Sequence, residues 1–375
     1  MYKSDSKNDI GTHPDKLSQA REEINAVDRE MAELFCRRMD AVKKVYEYKS
    51  EHGLPVLDKG REAQVIERNS GYVSDGTVRR YYVKFLNDVM AVSRSYQSEL
   101  MHGMKVAYSG VEGAFADIAA GRIFPDAQRV PKATFTEAYT SVILGECECA
   151  VLPLENSFAG EVGQVTDLMF SGPLYVNGIY DLPVTQSLLG VKGALISDIR
   201  EVVSHPQALS QCAPYIEAHG FRKTEYANTA MAAKYVYEKN DPSVAAIANA
   251  ETAELYGLEV LANAINESNL NTTRFAVFTR ALSDSDMKSG NHFILTFTVR
   301  NEAGSLARAI GIIGKHGFNM RSLRSRPMKE LLWQYYFYME AEGDIYSDNG
   351  RAMMEELSSC CDKLKIVGCY KSSQA

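Results

Sequence analysis

Residues 16–51 read KLSQAREEINAVDREMAELFCRRMDAVKKVYEYKSE, without a glycine or a proline. Apolar residues recur here at the heptad spacing typical of a helix that packs along its whole length. One seam position holds Leu17, Ile24, Met31 and Val45, and the other holds Ala20, Val27, Leu34, Ala41 and Tyr48. The predicted helix is ~54 Å long, whereas a domain of ~100 residues is ~26 Å wide. We therefore expect a homodimer or a higher homo-oligomer in which a second copy covers this helix.

Two further helices follow the first. Gly53-Leu54-Pro55 ends the first helix, Asp58 is typical of an N-cap for a second, and a third is predicted from about Thr77 to His102. Residues 1–15 are polar and predict a disordered tail. The three helices together predict an all-helical domain at 16–103.

Between about 104 and 283, short apolar strands alternate with helical stretches, which is typical of a layered α/β domain. The pattern leaves open whether this region is one domain or two lobes. Strands are predicted at 105–108, 149–152, 188–191, 201–204 and 244–248, and helices at 113–123, 134–146, 207–218 and 229–239.

The C-terminal part has a different order of elements. A polar linker is predicted at 284–291, followed by a domain at 292–375. That domain reads as strand 293–299, helix 304–315, strand 318–326, strand 332–340, helix 349–361 and strand 363–370. This βαββαβ order predicts a ferredoxin-like sandwich.

Composition limits the function classes. The chain has 375 residues, enough for two or three domains. Its 41 basic and 48 acidic residues argue against a nucleic acid or an anionic membrane as partner. No apolar run reaches the ~18 residues of a membrane helix, and no secretory signal is visible. Seven cysteines without disulfide or metal spacing predict reduced thiols in a cytoplasmic protein. The scattered histidines predict no metal site, and no cofactor is expected.

Arg38 is a cation in a seam position, between Met31 and Val45, where an unpaired charge is costly. Lys49 follows ~16 Å along the axis and ~20° from the same stripe. Two such cations on one face could clamp a dicarboxylate. Arg21 lies ~100° around the helix and could reach the equivalent site of a dimer partner. The alternative is that all three are solvated or salt-bridged helix charges.

Together with Asp58, Arg61, Glu62, Ser93 and Gln97, these cations resemble the motif of the all-helical chorismate mutases, the AroQ class, over about 16–102. The resemblance implies an intertwined homodimer that rearranges chorismate to prephenate without a nucleophile. It implies that Arg38, with Arg21 of the partner subunit, holds the carboxylates, and that Lys49 and Gln97 donate to the breaking ether oxygen. It also implies that Glu62 accepts from the substrate hydroxyl, while Asp58, Arg61 and Ser93 complete the pocket.

Polar clusters follow several strands of the central region, where α/β domains bind ligands. They lie at 108–115, 152–157, 204–207, 228–230 and 271–275. The glycines of the first cluster could expose N–H groups to an anion or could simply form a tight turn, and Asn228 could be an ordinary N-cap. No GxSxG elbow or Ser/His/acid order supports a hydrolase.

LPLENSxxGxV at 152–162, SHPQ at 204–207 and TRF at 273–275 resemble prephenate dehydratases over about 104–280. The resemblance implies two α/β lobes like those of type II periplasmic binding proteins, with prephenate losing CO₂ and water in the cleft to give phenylpyruvate. It implies Thr273 as the principal catalytic donor, Glu155 as a candidate proton source and Arg274 as a carboxylate ligand. The site would further be lined by Asn156, Ser157, Ser204 and Gln207. Ala116 stands where the family often has serine, so a hydroxyl contact is expected to be missing.

The C-terminal domain carries Gly304-Ser305-Leu306 at its first helix and Arg324-Ser325-Arg326-Pro327 at the end of its second strand, and Trp333 begins an aromatic third strand. Beside the other two domains it resembles an ACT domain, a small amino-acid sensor. The plainer alternative is a sandwich with an aromatic-rich core. In related dehydratases the segments GAL and ESRP bind phenylalanine, so the resemblance implies feedback by phenylalanine at these residues. Arg324 in place of glutamate reverses a charge and could weaken the response or change the effector.

From about 16 to 371 the chain thus resembles the bifunctional chorismate mutase–prephenate dehydratases with an ACT domain. The resemblance implies three small-molecule partners: chorismate and prephenate as substrates and phenylalanine as effector. Two alternatives stay open at this point. One is a sensor that binds an aromatic metabolite without turnover, and the other is an enzyme with one inactive domain. A preference for prephenate or for arogenate also stays open.

Overall fold

The structure, a computed structural model, describes residues 16–268, 270–283, 290–328 and 334–371. The expected tail 1–15, most of the expected linker 284–291 and Trp333 lie outside the described residues. The chain divides into two compact units, one up to Met101 and one from His102. Within the described ranges, no helix combines the length and the apolar character needed to cross a membrane.

The first unit contains three helices, α1 (Lys16–Glu51), α2 (Lys59–Ser70) and α3 (Gly76–His102), which confirms the three predicted helices. Asp58 caps α2 by accepting a hydrogen bond from the backbone N–H of Arg61 at 2.9 Å. The apolar seam of α1 is largely uncovered within one chain. Leu17, Ile24 and Leu34, for example, keep 54%, 59% and 58% of their surface exposed.

The second unit begins with two α/β lobes. The first lobe comprises β1 (Lys105–Ser109), α4 (Phe115–Ile123), β2 (Gln128–Lys132), α5 (Phe135–Ile143), β3 (Cys149–Asn156), β4 (Gly160–Glu161), α6 (Gly163–Ser171), β5 (Tyr175–Pro183) and β11 (Thr272–Thr279). The second lobe comprises β6 (Ser187–Gly190), a 3₁₀ turn (Ile196–Asp198), β7 (Glu201–Ser204), α7 (Pro206–Gln211), α8 (Ala213–His219), β8 (Arg222–Glu225), α9 (Thr229–Lys239), β9 (Val244–Ala248), α10 (Ala250–Tyr256) and β10 (Glu259–Ala262).

The two lobes have separate sheets. Strand order is β5-β11-β3-β1-β2 in the first lobe, with β4 paired to β3, and β10-β6-β9-β7-β8 in the second. The chain leaves the first lobe after β5 and returns as β11, so two crossings join the lobes. This arrangement confirms the two-lobed alternative.

Several elements were not predicted from the sequence, namely the strands β2, β4, β5, β8, β10 and β11 and the helices α6 and α10. β2 and β8 are edge strands whose residues are mostly exposed, so they lack the apolar run that marks a strand. The single helix predicted at 207–218 is wrong. It is two helices, because Pro214 has no N–H and its ring clashes with the preceding turn of a continuous helix.

The C-terminal domain comprises β12 (His292–Thr298), α11 (Ser305–Lys315), β13 (Asn319–Pro327), β14 (Tyr335–Glu342), α12 (Asp348–Ser358) and β15 (Lys363–Tyr370). Its strand order, β15-β12-β14-β13, confirms the predicted βαββαβ sandwich. Phe293, Leu295 and Phe297 of β12 are fully buried in the core that this sheet shares with the two helices.

The other face of this sheet packs against the first lobe. Ile294 and Tyr338 belong to the same buried cluster as Leu152 of β3. At Gly368 β15 also pairs with Val176 of β5, where a Cβ on the glycine would lie 2.5 Å from the Val176 carbonyl oxygen. The C-terminal sheet and the first-lobe sheet therefore form one continuous sheet.

Candidate active sites

A polar cluster in the helical unit is centred on Arg38 of α1 and on Ser93 and Gln97 of α3. The Arg38 guanidinium donates to the Ser93 hydroxyl, which donates to the Val89 carbonyl oxygen at 2.7 Å. Gln97 is 7% exposed, and its Oε1 has no partner among the described residues. Burial lowers the pKa of Arg38 from its ordinary value. A polar ligand bound here could pair with the half-buried cation and donate a hydrogen bond to the unpaired amide oxygen.

The remaining expected mutase residues have these positions. Lys49 Nζ donates to the Val56 carbonyl oxygen at 2.7 Å, Glu62 forms an ion pair with Arg94, and Asp58 serves as the N-cap. Arg61 and Arg21 are exposed. Arg94, which pairs with Glu62, was not predicted as a site residue, because nothing in the sequence distinguishes it from the other charged residues of α3.

Arg21 lies on α1 about 25 Å from Arg38 along the helix axis, at 1.5 Å per residue. A straight helix cannot bring the two guanidinium groups of one chain to the same small ligand. If Arg21 binds the same kind of ligand as Arg38, it has to do so in the site of a second subunit.

A cavity of about 330 Å³ lies between the two lobes of the second unit. Polar side chains from both lobes line it, among them Asn156, Gln186, His205, Gln207, Gln211, Asn228, Thr229, Asn271 and Thr273. None of the described lining residues is Lys or Arg, and the lining carboxylate of Glu161 lies 3.6 Å from Arg326. An anion bound here would therefore be held by amide and hydroxyl donors, by the ring of His205 and by the starts of α4 and α9.

Thr273 and Asn156 are joined side chain to side chain across neighbouring strands. Asn156 Nδ2 donates to Thr273 Oγ1 at 2.9 Å. The amide orientation is set by Asn156 Oδ1, which accepts from the N–H groups of Phe158 and Ala159 at 3.0 and 2.9 Å. Because a threonine hydroxyl carries one hydrogen and two lone pairs, the Thr273 hydrogen stays available to donate.

Arg274 and Glu155 do not line this cavity. They pair in register one position along from Thr273 and Asn156, and successive side chains of a strand point to opposite faces. On that other face Arg274 binds Glu340 of β14 at 2.8 Å, and Glu155 binds Arg324 of β13 at 2.5 Å. The structure thus joins both residues to the C-terminal domain.

Ser204 and Ser157 also lie outside the set that lines the cavity. Ser204 is fully buried and donates to the Ile247 carbonyl oxygen at 2.5 Å, while Ser157 donates to the Leu270 carbonyl oxygen at 3.0 Å. Both hydroxyls therefore support neighbouring backbone.

Two cavity residues that were not among the predicted site residues carry buried polar atoms without a partner among the described residues, although Asn271 lies within the predicted polar cluster 271–275. These are Gln186, 2% exposed, through Oε1, and Asn271, 3% exposed, through Nδ2. Gln186 directly precedes the wholly buried strand β6, and that contrast could have drawn attention to it. Gln211 follows Gln207 by one helical turn, which could have placed it on the same face.

The glycine-containing loop before α4 forms a tight turn. Gly113 has φ +82°, and a Cβ there would lie 2.9 Å from a methyl carbon of Leu255. Its N–H donates to Asp117 Oδ2 at 2.9 Å, so it is already occupied. Ala116 is buried and is absent from the cavity lining, whereas Phe115 lines it.

The expected effector segments lie at two places in the C-terminal domain. Gly304, Ser305 and Leu306 form the start of α11, and Leu306 lines a cavity of about 430 Å³. The second segment, Arg324, Ser325, Arg326 and Pro327, ends β13. Arg326 binds Asp167 of the first lobe at 2.8 Å, so both arginines of this segment hold carboxylates of the first lobe.

Known families match both units. The model "Chorismate mutase type II" matches residues 20–98, and the model "Prephenate dehydratase" matches residues 106–282. The bifunctional chorismate mutase/prephenate dehydratase of Aquifex aeolicus is 28% identical over 363 residues, which are 95% of this chain and 98% of that protein. Arogenate dehydratase/prephenate dehydratase 1 of Arabidopsis thaliana is 30% identical over 285 residues, 71% of this chain and 72% of that protein.

The chain belongs to the family of bifunctional chorismate mutase/prephenate dehydratases. Its helical unit is the chorismate mutase and its two-lobed part is the prephenate dehydratase, two activities of phenylalanine biosynthesis.

Solved structures of similar fold support the same architecture. A protein described as a novel type of quorum quenching acylase is 30% identical with a TM-score of 0.66, covering 72% of this chain and 98% of that one. Prephenate dehydratase from Arthrobacter aurescens in complex with L-Phe is 24% identical with a TM-score of 0.66, covering 72% of this chain and 90% of that one. The latter likeness shows the fold of the dehydratase.

Proposed function

We propose that the bifunctional chorismate mutase/prephenate dehydratase works through three domains: 16–103 for the mutase reaction, 104–283 for the dehydratase reaction and 292–375 for regulation, with a linker at 284–291. The observation that carries the catalytic part is the Asn156–Thr273 hydrogen bond at the cleft, which leaves a hydroxyl hydrogen available to a substrate.

In the mutase reaction an ether C–O bond breaks while a C–C bond forms within one molecule, so no residue has to attack the substrate. The site lowers the barrier by holding the reactive conformer and by stabilising charge on the ether oxygen. We assign the carboxylates to Arg38 and to Arg21 of the partner subunit, and the ether oxygen to Lys49 and Gln97. Glu62 accepts from the substrate hydroxyl.

Asp58, Arg61 and Ser93 complete this proposed pocket. The contact between Arg38 and Ser93 supports the assignment, because it brings an α1 cation to the helix that carries Gln97. Lys49 is held by a backbone oxygen, a partner that a substrate oxygen could replace.

In the dehydratase reaction the bond to the ring carboxylate breaks, and its electron pair enters the ring as CO₂ leaves. The ring C–O bond breaks at the same time, and the departing hydroxide takes one proton to become water. Aromatisation supplies the driving force, so the protein chiefly assists the leaving group. We assign to Thr273, oriented by Asn156, a hydrogen bond to the departing oxygen, while solvent supplies the proton that turns the hydroxide into water. Neutral donors such as Gln207, and the starts of α4 and α9, would hold the carboxylates.

Phenylalanine is the effector that we propose for the C-terminal domain, as an ACT-type sensor. Support comes from its βαββαβ fold, from the cavity beside Leu306, and from a relative of like fold that was crystallised with L-Phe. Arg324, the reversed charge, is paired with Glu155 of the dehydratase, so it is placed to transmit a shift of the sheet. A cytoplasmic location fits the free state of all seven cysteines.

A time course with purified protein and chorismate tests the whole proposal. We expect prephenate to rise first and phenylpyruvate to follow, and phenylalanine to slow the second step. Arogenate supplied in place of prephenate is the parallel arm, since the plant relative is named for both substrates. Accumulation of prephenate without phenylpyruvate would contradict the dehydratase assignment. Faster turnover of arogenate than of prephenate would show that arogenate is the preferred substrate.

A homodimer that buries the seam of α1 gives a separate prediction. Leu34 is 58% exposed in one chain, so Leu34→Asp should be harmless to a monomer. In a dimer it would bury a carboxylate at the seam and separate the subunits. We expect the mass from light scattering to fall from at least twice 41.6 kDa towards 41.6 kDa, with loss of mutase activity. Glu33→Gln, at a neighbouring exposed position, is the control, and an unchanged mass in Leu34→Asp would contradict the seam interface.

A further inference from the structure

Glu340 is a buried carboxylate of the C-terminal sheet, and it accepts hydrogen bonds from residues of two domains. It lies on β14 and is 1% exposed. Arg274 of the dehydratase binds it with two hydrogen bonds, from Nη1 to Oε2 at 3.0 Å and from Nη2 to Oε1 at 2.8 Å. The hydroxyls of Tyr370 and Tyr338 donate to it at 2.6 and 3.2 Å. Two-pronged pairing of this kind restricts the direction as well as the distance of the guanidinium.

Glu340 and Arg274 each favour the charged form of the other. Burial alone would raise the pKa of Glu340, but the hydrogen bonds and the charge of Arg274 outweigh it and hold that pKa below its ordinary value. Burial by itself would lower the pKa of Arg274, but the hydrogen bonds and charge of Glu340 outweigh burial and raise that pKa above its ordinary value. Glu155 at 3.7 Å and Asp181 at 3.6 Å are the next carboxylates around Arg274. The pair therefore stays ionised around neutral pH.

Arg274 occupies an irregular point of its strand. The register of β11 against β3 shifts between Arg274 and Phe275, because β3 contains an extra residue between Pro153 and Glu155. Such irregularities re-aim the side chains beside them. The neighbour on one side is the buried Phe275 and on the other Thr273, whose hydroxyl lines the cleft. Fixing the Arg274 side chain thus fixes the end of β11 that presents Thr273.

We propose that Glu340 is a positioning residue for the dehydratase reaction. It binds Arg274 on the face of the sheet opposite the cleft, and in this way it fixes the position of the Thr273 hydroxyl in the cleft. This inference rests on the role proposed for Thr273. It gives Arg274 a different task from the carboxylate ligand implied by resemblance, namely that of a strut between the catalytic strand and the regulatory sheet.

The test is prephenate turnover by the full-length chain and by Glu340→Gln. We expect kcat to fall at least about tenfold with KM changed less than about threefold, because a misplaced group costs rate more than binding. Mutase activity should be unchanged. Glu340→Asp keeps the charge and should recover part of the lost rate. Glu342→Gln, an equivalent change at a 44% exposed side chain two residues further on β14, is the matched control.

A double variant separates positioning from general support. If Glu340 acts through Arg274, the kcat of Arg274→Gln/Glu340→Gln should equal that of Arg274→Gln alone. Independent losses that multiply would overturn the proposal, as would full kcat in Glu340→Gln. If the thermal melt shows that Glu340→Gln is unfolded, Tyr370→Phe and Glu340→Asp decide the matter, and wild-type kcat in both overturns it. Absence of phenylpyruvate from the wild type itself would instead contradict the proposed dehydratase function.

Discussion

Lys49→Ala is expected to lower the chorismate-to-prephenate rate by about 10²–10³-fold, the usual loss when one donor to a developing oxyanion is removed. Lys49 is proposed to place a full positive charge near the ether oxygen, where negative charge grows as the C–O bond breaks. Lys49 is partly buried near the end of α1, and among the described residues its ammonium donates to the backbone oxygen of Val56. Alanine removes both the charge and the donor.

The measurement is the disappearance of chorismate, with prephenate dehydration measured on the same sample. Dehydratase activity should stay at the wild-type level, because the two activities lie in separate compact units. Lys44→Ala, at an exposed lysine of the same helix, is the control for loss of charge alone. Equal loss of both activities in Lys49→Ala would contradict independent sites.

Thr273→Ala is expected to give the opposite result, with dehydration slowed about 10²–10³-fold and the mutase unaffected. The hydroxyl hydrogen of Thr273 is proposed to assist the departing hydroxide. Asn156, which now donates to Thr273 Oγ1 at 2.9 Å, would lose that acceptor in the variant. Thr273→Ser keeps the hydroxyl and should retain most of the rate.

Phenylpyruvate formation from prephenate is the measurement for this variant. Thr279→Ala, at the far end of the same strand, controls for a general effect on β11. Retention of dehydration by Thr273→Ala would remove Thr273 from the donor role. A rise in KM at constant kcat would make it a binding residue instead.

The helical unit shows how far pattern alone reaches. The heptad of α1, the Asp58 cap and the limits of α3 were all predicted, because helix formation depends on residues a few positions apart. The central strands were harder. The sequence shows only a polar cluster at the start of β11, because Thr272, Thr273 and Arg274 precede a buried apolar run of just four residues, 275–278.

The sequence by itself determined the family, the three-part order of the chain and the grouping of Thr273, Asn156 and Gln207, which line one cavity, because short motifs and local periodicity carry that information. Only the tertiary structure decided that Arg274 and Glu155 turn away from the cleft towards Glu340 and Arg324. The physical reason is that strand alternation and a register shift set the face of each side chain, and both depend on pairing between residues far apart in sequence.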